Sequence, residues 1–95
     1  MSPIETPRSA QAGTVESMDC LVTVTASGGG RRVEISGGGT SRFRDVMEKK
    51  INQVLDGLGE RENVTISVQD NGAVDLVLGA RVEAAYLRFR EAIGE

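Results

Sequence analysis

Cys20-Leu21-Val22-Thr23-Val24-Thr25-Ala26 is the run on which the fold turns. Cys20, Val22, Val24 and Ala26 fall to one side, Leu21, Thr23 and Thr25 to the other, and β-branched residues hold four of the seven positions. Side chains of a strand alternate between its two faces, so this is a strand with one apolar side that needs a covering layer. Downstream, Ser27-Gly28-Gly29-Gly30 reads as a reversal. Arg31 to Ser36 alternates again, with Val33 and Ile35 inward and Arg32 and Glu34 outward. The expectation is a hairpin of these two runs. Upstream, Pro3, Pro7, Ser9, Gln11 and Gly13 interrupt any period, and residues 1–13 read as a flexible tail ahead of a domain at 14–95.

After Gly37-Gly38-Gly39 the period changes from two to 3.6. Phe43, Val46, Met47, Ile51, Val54, Leu55 and Leu58 make one helical stripe. Thr40 or Ser41 can cap its start, Asp45 and Glu48 sit near its positive end, and Gly57 or Gly59 can end it. Asn63 to Gln69 returns to alternation, with Val64, Ile66 and Val68 on the apolar side. Asp70-Asn71-Gly72 signals a turn. Val77, Leu78, Val82, Ala85, Phe89 and Ile93 then give a second amphipathic helix. Ala73 to Leu76 satisfies either period, as a short strand or as the start of that helix. The expected order is ββαβ(β)α, an α+β domain in which two helices cover one face of a small, mainly antiparallel sheet.

Composition narrows the function. The chain has 95 residues, enough for one modest core, and its aromatics are only Phe43, Tyr86 and Phe89, so that core is aliphatic. A net charge of -3 argues against nucleic acid, whose partners carry clustered basic surface. No apolar run approaches the roughly 20 residues of a membrane span, and the N-terminus lacks the pattern of a signal peptide. The single cysteine forms no internal disulfide, which suits the cytoplasm. There is no histidine, which removes the commonest general base, Ser-His and Cys-His pairs, and most zinc patterns. No phosphate loop and no calcium loop is present. A self-sufficient enzyme is not expected, and neither is a metal site.

Several features carry two readings. The two Ser-Gly-Gly-Gly runs suit either a phosphate cradle of backbone amides or plain connections. Cys20 is either a reactive thiol or a small buried hydrophobe. Arg81, Glu83, Arg88, Arg90 and Glu91 form either a solvated helix face or a docking surface for partner subunits. Ser17 is, by composition, one serine among seven.

Ala12-Gly13-Thr14-Val15-Glu16-Ser17, followed by Asp19, resembles the attachment motif of the acyl carrier (γ) subunit of citrate lyase. A second block, Val68-Gln69-Asp70-Asn71-Gly72-Ala73-Val74-Asp75 with Val77-Leu78-Gly79-Ala80-Arg81-Val82-Glu83-Ala84, is similar to that family's later turn and helix. The resemblance runs from residue 12 onward, although Gly28 to Gly59 agrees only in pattern. Val15 and Val82 stand where leucine is usual, and Gly79 where a larger residue is. The all-helical carriers of fatty-acid synthesis are not similar.

The resemblance implies that Ser17 carries a phosphoribosyl-dephospho-coenzyme A group through a phosphodiester, attached by a prosthetic-group transferase. It implies a terminal thiol that holds acetyl and citryl thioesters. The α subunit would exchange acetyl for citryl, and the β subunit would cleave citryl thioester to oxaloacetate. The carrier would supply no acid or base, only effective concentration. Glu16 and Asp19 are expected to repel the arm's phosphates. Carriers of citramalate lyase or malonate decarboxylase, and a plain protein-binding module with Ser17 unmodified, remain the alternatives.

Overall fold

A computed structural model describes residues 8–37, 40–61 and 63–94. Along the chain run β1 (Ser9–Gly13), β2 (Asp19–Ala26), β3 (Arg32–Ser36), α1 (Thr40–Gly57), β4 (Val64–Asn71) and α2 (Asp75–Ala92). The strands form one sheet in the order β1-β2-β4-β3, in which β1 and β4 pair antiparallel with β2, and β3 pairs parallel with β4. The α+β class and the two covering helices are as expected.

Two expectations are corrected. The segment before residue 14 is not all tail, because Ser9–Gly13 forms an edge strand with Ser9 opposite Thr25 and Gly13 opposite Leu21. Residues 1–7 lie outside the described residues. The second correction concerns the hairpin of β2 and β3, since β4 lies between them. The reason is apolar area. β2 and β4 are each eight residues long and match Val22 with Val68, Val24 with Ile66, and Ala26 with Val64. A five-residue β3 offers only Val33 and Ile35. Pairing the two long strands at the centre buries the larger set, and the short strands take the edges. Ala73 to Leu76 makes no strand; the helix begins at Asp75.

Cys20, Val22, Val24, Ile66 and Val68 are fully buried beneath the helices, joined by Ile51 and Leu55 from α1 and by Leu78, Val82 and Ala85 from α2. The α1 stripe is only partly inward. Met47, Ile51 and Leu55 are buried, while Phe43 is 55% and Val46 56% exposed, against the expectation that both pack in the core. The first turns of α1 lie beside the β4–α2 connection, where Phe43 and Val46 line an open groove with Gly72, Ala73 and Val74.

At its other end α1 stops in a Schellman turn: Gly59 (φ +79°) donates to the Asp56 carbonyl and Glu60 to that of Leu55. Beside it, Arg31 binds the Glu60 carboxylate (2.9 Å), the Glu60 carbonyl (2.9 Å), Asn52 Oδ1 (3.0 Å) and Asp56 Oδ1 (2.9 Å). This cluster ties the β2–β3 connection to the helix end. Neither Arg31 nor Glu60 had a role in the sequence pattern.

Candidate functional site

Ser17 lies at the tip of the five-residue loop between β1 and β2, and its side chain is exposed. Glycine starts the loop for a steric reason. Gly13 has φ +98°, and a Cβ there would sit 1.9 Å from the Cys20 carbonyl oxygen. Only a residue without a side chain lets the two strands close so tightly. The next residue seals the base: Thr14 N donates to that same Cys20 oxygen at 3.1 Å. The tip itself is a turn, with Asp19 N bonded to the Glu16 carbonyl at 3.1 Å and Met18 in the left-handed region at φ 65°. Ser17 occupies the second position of that turn.

The loop is held from two sides. Asp19 accepts two bonds from Arg81 of α2, from Nε and Nη2 at 3.0 Å each. The same carboxylate accepts from Thr14 Oγ1 at 2.8 Å and from Cys20 N at 2.7 Å. Thr14 Oγ1 in turn accepts from Glu16 N at 3.2 Å. Arg81 first, then Thr14 and the Cys20 amide, hold the Asp19 carboxyl far below its ordinary value. Asp19 in turn raises the Arg81 guanidinium. On the opposite side, Asn71 at the end of β4 accepts from Met18 N at 2.7 Å and donates through Nδ2 to the Val15 carbonyl at 2.9 Å. A single bridge pairs Asp19 with Gly72.

These contacts correct two readings. Asp19 does not stand free to repel a phosphate, because its charge is paired with Arg81; Glu16 is the exposed carboxylate of the loop. The arginines of α2 are not simply a solvated face. Arg81 clamps the loop, Arg88 Nη1 donates to the Gln11 carbonyl at 2.7 Å, and Arg90 lies 5.8 Å from the Tyr86 ring centre. Glu83 and Glu91 are exposed. Sequence reasoning singled out Ser17 and Asp19 but missed Arg81 and Asn71 as loop supports. The signal was available: the two similar blocks, 12–19 and 68–84, meet in space around this loop.

Other candidates lie elsewhere. Cys20 is fully buried, and burial first, then the charges of Asp19 and Asp70, pushes its thiol up to about 11. It is a packed hydrophobe. In the first glycine run, Ser27 Oγ donates to the Gly30 carbonyl at 2.8 Å, closing the turn on itself at the far end of β2. In the second, Gly37 passes so close to the Asp70 carbonyl oxygen that a Cβ would lie 2.0 Å from it. Gly38 and Gly39 lie outside the described residues. Among the described residues no group of acidic, cysteine or histidine side chains is placed to hold a metal, and no helix is long and apolar enough to cross a membrane.

Residues 7–89 match the family model described as malonate decarboxylase delta subunit (MdcD), an acyl carrier family. The chain is 36% identical to the citrate lyase acyl carrier protein of Halothermothrix orenii, over 90% of this chain and 89% of that one. It is 42% identical to that of Pectobacterium carotovorum, over 81% and 79%. Among solved structures it superposes on a chain of a Pseudomonas malonate decarboxylase hetero-tetramer with a TM-score of 0.58 at 21% identity, covering 93% of this chain and 92% of that one. That likeness shows a shared fold.

Proposed function

We propose, for a chain that belongs to the citrate lyase acyl carrier protein family, the role of carrier subunit of a citrate lyase, with Ser17 as the covalent attachment point of its prosthetic group. Membership of an acyl carrier family implies such a group. The observation that carries the assignment is the presentation of Ser17: an exposed hydroxyl at the apex of a loop bound at its base by Arg81 and Asn71. A modifying enzyme needs both access and a defined position, and this loop supplies both.

The residues present suit the phosphoribosyl-dephospho-coenzyme A group. Its phosphodiester would start at an open hydroxyl, and pairing with Arg81 removes Asp19 from the charges it would meet. When bound, the arm supplies a thiol that holds the acyl group as a thioester between the α and β subunits of the lyase. The chain's own part is mechanical. Gly13 and Thr14 close the hairpin, Asp19 and Arg81 fix the loop to α2, and the packed domain holds the tether's origin at one place on its surface. Tethering raises the effective concentration of the cargo at each active site without any acid or base from this chain, which contains no histidine. The cytoplasm is the compartment this role requires, and it suits a free, buried Cys20.

A second reading keeps the carrier role and changes the complex. The family description and the solved malonate decarboxylase favour a decarboxylase carrier; a citramalate lyase carrier is chemically equivalent. Acyl specificity would reside in the partner subunits.

The test is co-expression with the prosthetic-group transferase, read by intact mass and peptide mapping. Wild type, Ser9→Ala and Cys20→Ala should gain the mass of the group, and Ser17→Ala should not. Ser17→Ala should also abolish citrate cleavage by the reconstituted complex. Loading of the Ser17→Ala chain, or a wild type that supports citrate turnover unloaded, refutes the assignment. Turnover of malonate rather than citrate with cognate subunits selects the second reading.

A further inference from the structure

The first turns of α1 and the β4–α2 connection enclose a groove of about 410 Å³, lined by Phe43, Val46, Gly72, Ala73 and Val74 together with Asp70 and Asp75. Phe43, Val46 and Val74 are each more than half exposed in it. Arg42 stacks over the Phe43 ring at 5.6 Å from its centre and leaves that exposure in place. The groove adjoins the Ser17 loop: a Cβ on Gly72 would lie 3.8 Å from the Met18 Cα. Met18, 68% exposed, and Val15, 58% exposed, continue the apolar surface onto the loop itself. A concentration of exposed apolar side chains of this kind marks a contact surface.

We infer that this groove is where the enzyme that loads Ser17 docks, and that the enzyme fills it with an apolar side chain flanked by cationic ones. The inference rests on Ser17 being the attachment residue. Loading forms a bond from Ser17 Oγ to phosphorus and breaks a phosphoanhydride bond of a nucleotide donor. The hydroxyl proton passes to a base of the enzyme, and the leaving phosphate departs with the electron pair. The enzyme must therefore bring its active site onto the loop. A standard interface covers about 800 Å² per partner, a disc of roughly 16 Å radius, so any enzyme seated on Ser17 also covers the adjoining groove.

Charge selects this occupant over the others. An enzyme that binds a phosphorylated nucleotide carries Lys and Arg around its mouth, and these meet Asp70, Asp75 and Glu16 at the groove and loop. A second copy of this chain would set Asp70 and Asp75 against themselves across a two-fold axis, with Arg42 beside Phe43 offsetting only part of that repulsion. The chain's own arm, once attached, would bring phosphates against those carboxylates. The net charge of -3 adds long-range attraction to a basic partner.

The experiment measures the steady-state kinetics of loading by the purified transferase with its nucleotide donor, on the full chain, by intact mass. Phe43→Gln and Val46→Gln should each raise KM for the carrier by about tenfold, the loss typical of a packed interface side chain, with kcat and Tm little changed. Asp75→Asn and Glu16→Gln should raise KM less and flatten its dependence on salt. Leu87→Gln, which removes an exposed apolar residue of α2 that does not line the groove, should change nothing. Unchanged KM in the Phe43 and Val46 variants, with wild type loaded at Ser17, overturns the docking site alone. So does a shift confined to self-association, or a defect seen only when preloaded carrier meets the lyase subunits. Loading of wild type at another residue overturns the Ser17 assignment and this inference with it.

Discussion

Gly13→Ala tests whether the tight closure of the β1–β2 hairpin holds the Ser17 loop in place. At φ +98° an L side chain is strained by about 1–2 kcal/mol. The new Cβ would stand 1.9 Å from the Cys20 carbonyl oxygen and 3.2 Å from Arg81 Cδ. The arginine side chain can move; the carbonyl belongs to β2 at the loop end of the hairpin, beside the last pair Gly13–Leu21, and cannot move without opening it. Opening it weakens the 3.1 Å bond from Thr14 N to Cys20 O, worth about 0.5–1.5 kcal/mol, and displacing packed backbone costs about 1–3 kcal/mol more. The lower entropy of an unfolded alanine returns about 0.4–1 kcal/mol. The net expectation is a loss of about 1.5–6 kcal/mol, which lowers Tm by roughly 6 °C or more for a domain of this size. Urea and thermal melts measure it. Gly28→Ala is the matched control, because it has open space around it and no positive φ, and should stay within about 0.5 kcal/mol of wild type. If Gly13→Ala also costs less than about 0.5 kcal/mol, the hairpin closure described above is wrong.

Three further outcomes are expected. Leu55→Ala, at a fully buried α1 position, should cost about 2–5 kcal/mol, while Phe43→Ala, half-exposed on the same helix, should cost under about 1 kcal/mol; equal melts for the two would contradict the difference in burial between them. Asp19 has a carboxyl held below its ordinary 3.8, so its contribution is present above that value and lost as acid protonates it. The Tm gap between wild type and Asp19→Asn should therefore be full at pH 7 and narrow below about pH 3.8, and a gap that widens in acid would show the Arg81 clamp absent. Cys20 is buried with its thiol raised to about 11, so a thiol reagent at pH 8 should label it only as fast as the domain opens; labelling of native protein as fast as of urea-unfolded protein would place it at the surface.

What the sequence by itself determined is what depends on local periodicity. The alternation from Cys20 to Val24 and from Val64 to Val68, and the helical spacing from Met47 to Leu55 and from Leu78 to Phe89, reappear as buried faces of β2, β4, α1 and α2, while Ala26 at the strand end is exposed. The side of a strand or helix that turns inward follows from the side chains it carries, wherever the element comes to lie. Ser17, the proposed attachment residue, was singled out by the motif around it, and its exposure follows from its place in the Glu16–Asp19 turn. Strand partnership was not legible, because pairing is a competition between distant segments for apolar area. β4 displaced β3 beside β2 although β3 is nearer along the chain. Ser9–Gly13 has too little apolar pattern to announce a strand; it becomes one by completing the edge of β2, with Ala12 buried under α2. Only the tertiary structure brought Arg81 and Asn71 to Asp19 and Val15, across 62 and 56 residues of chain. A charge pair at that separation has no local signature, since what joins its members is the packing of α2 and β4 against β2.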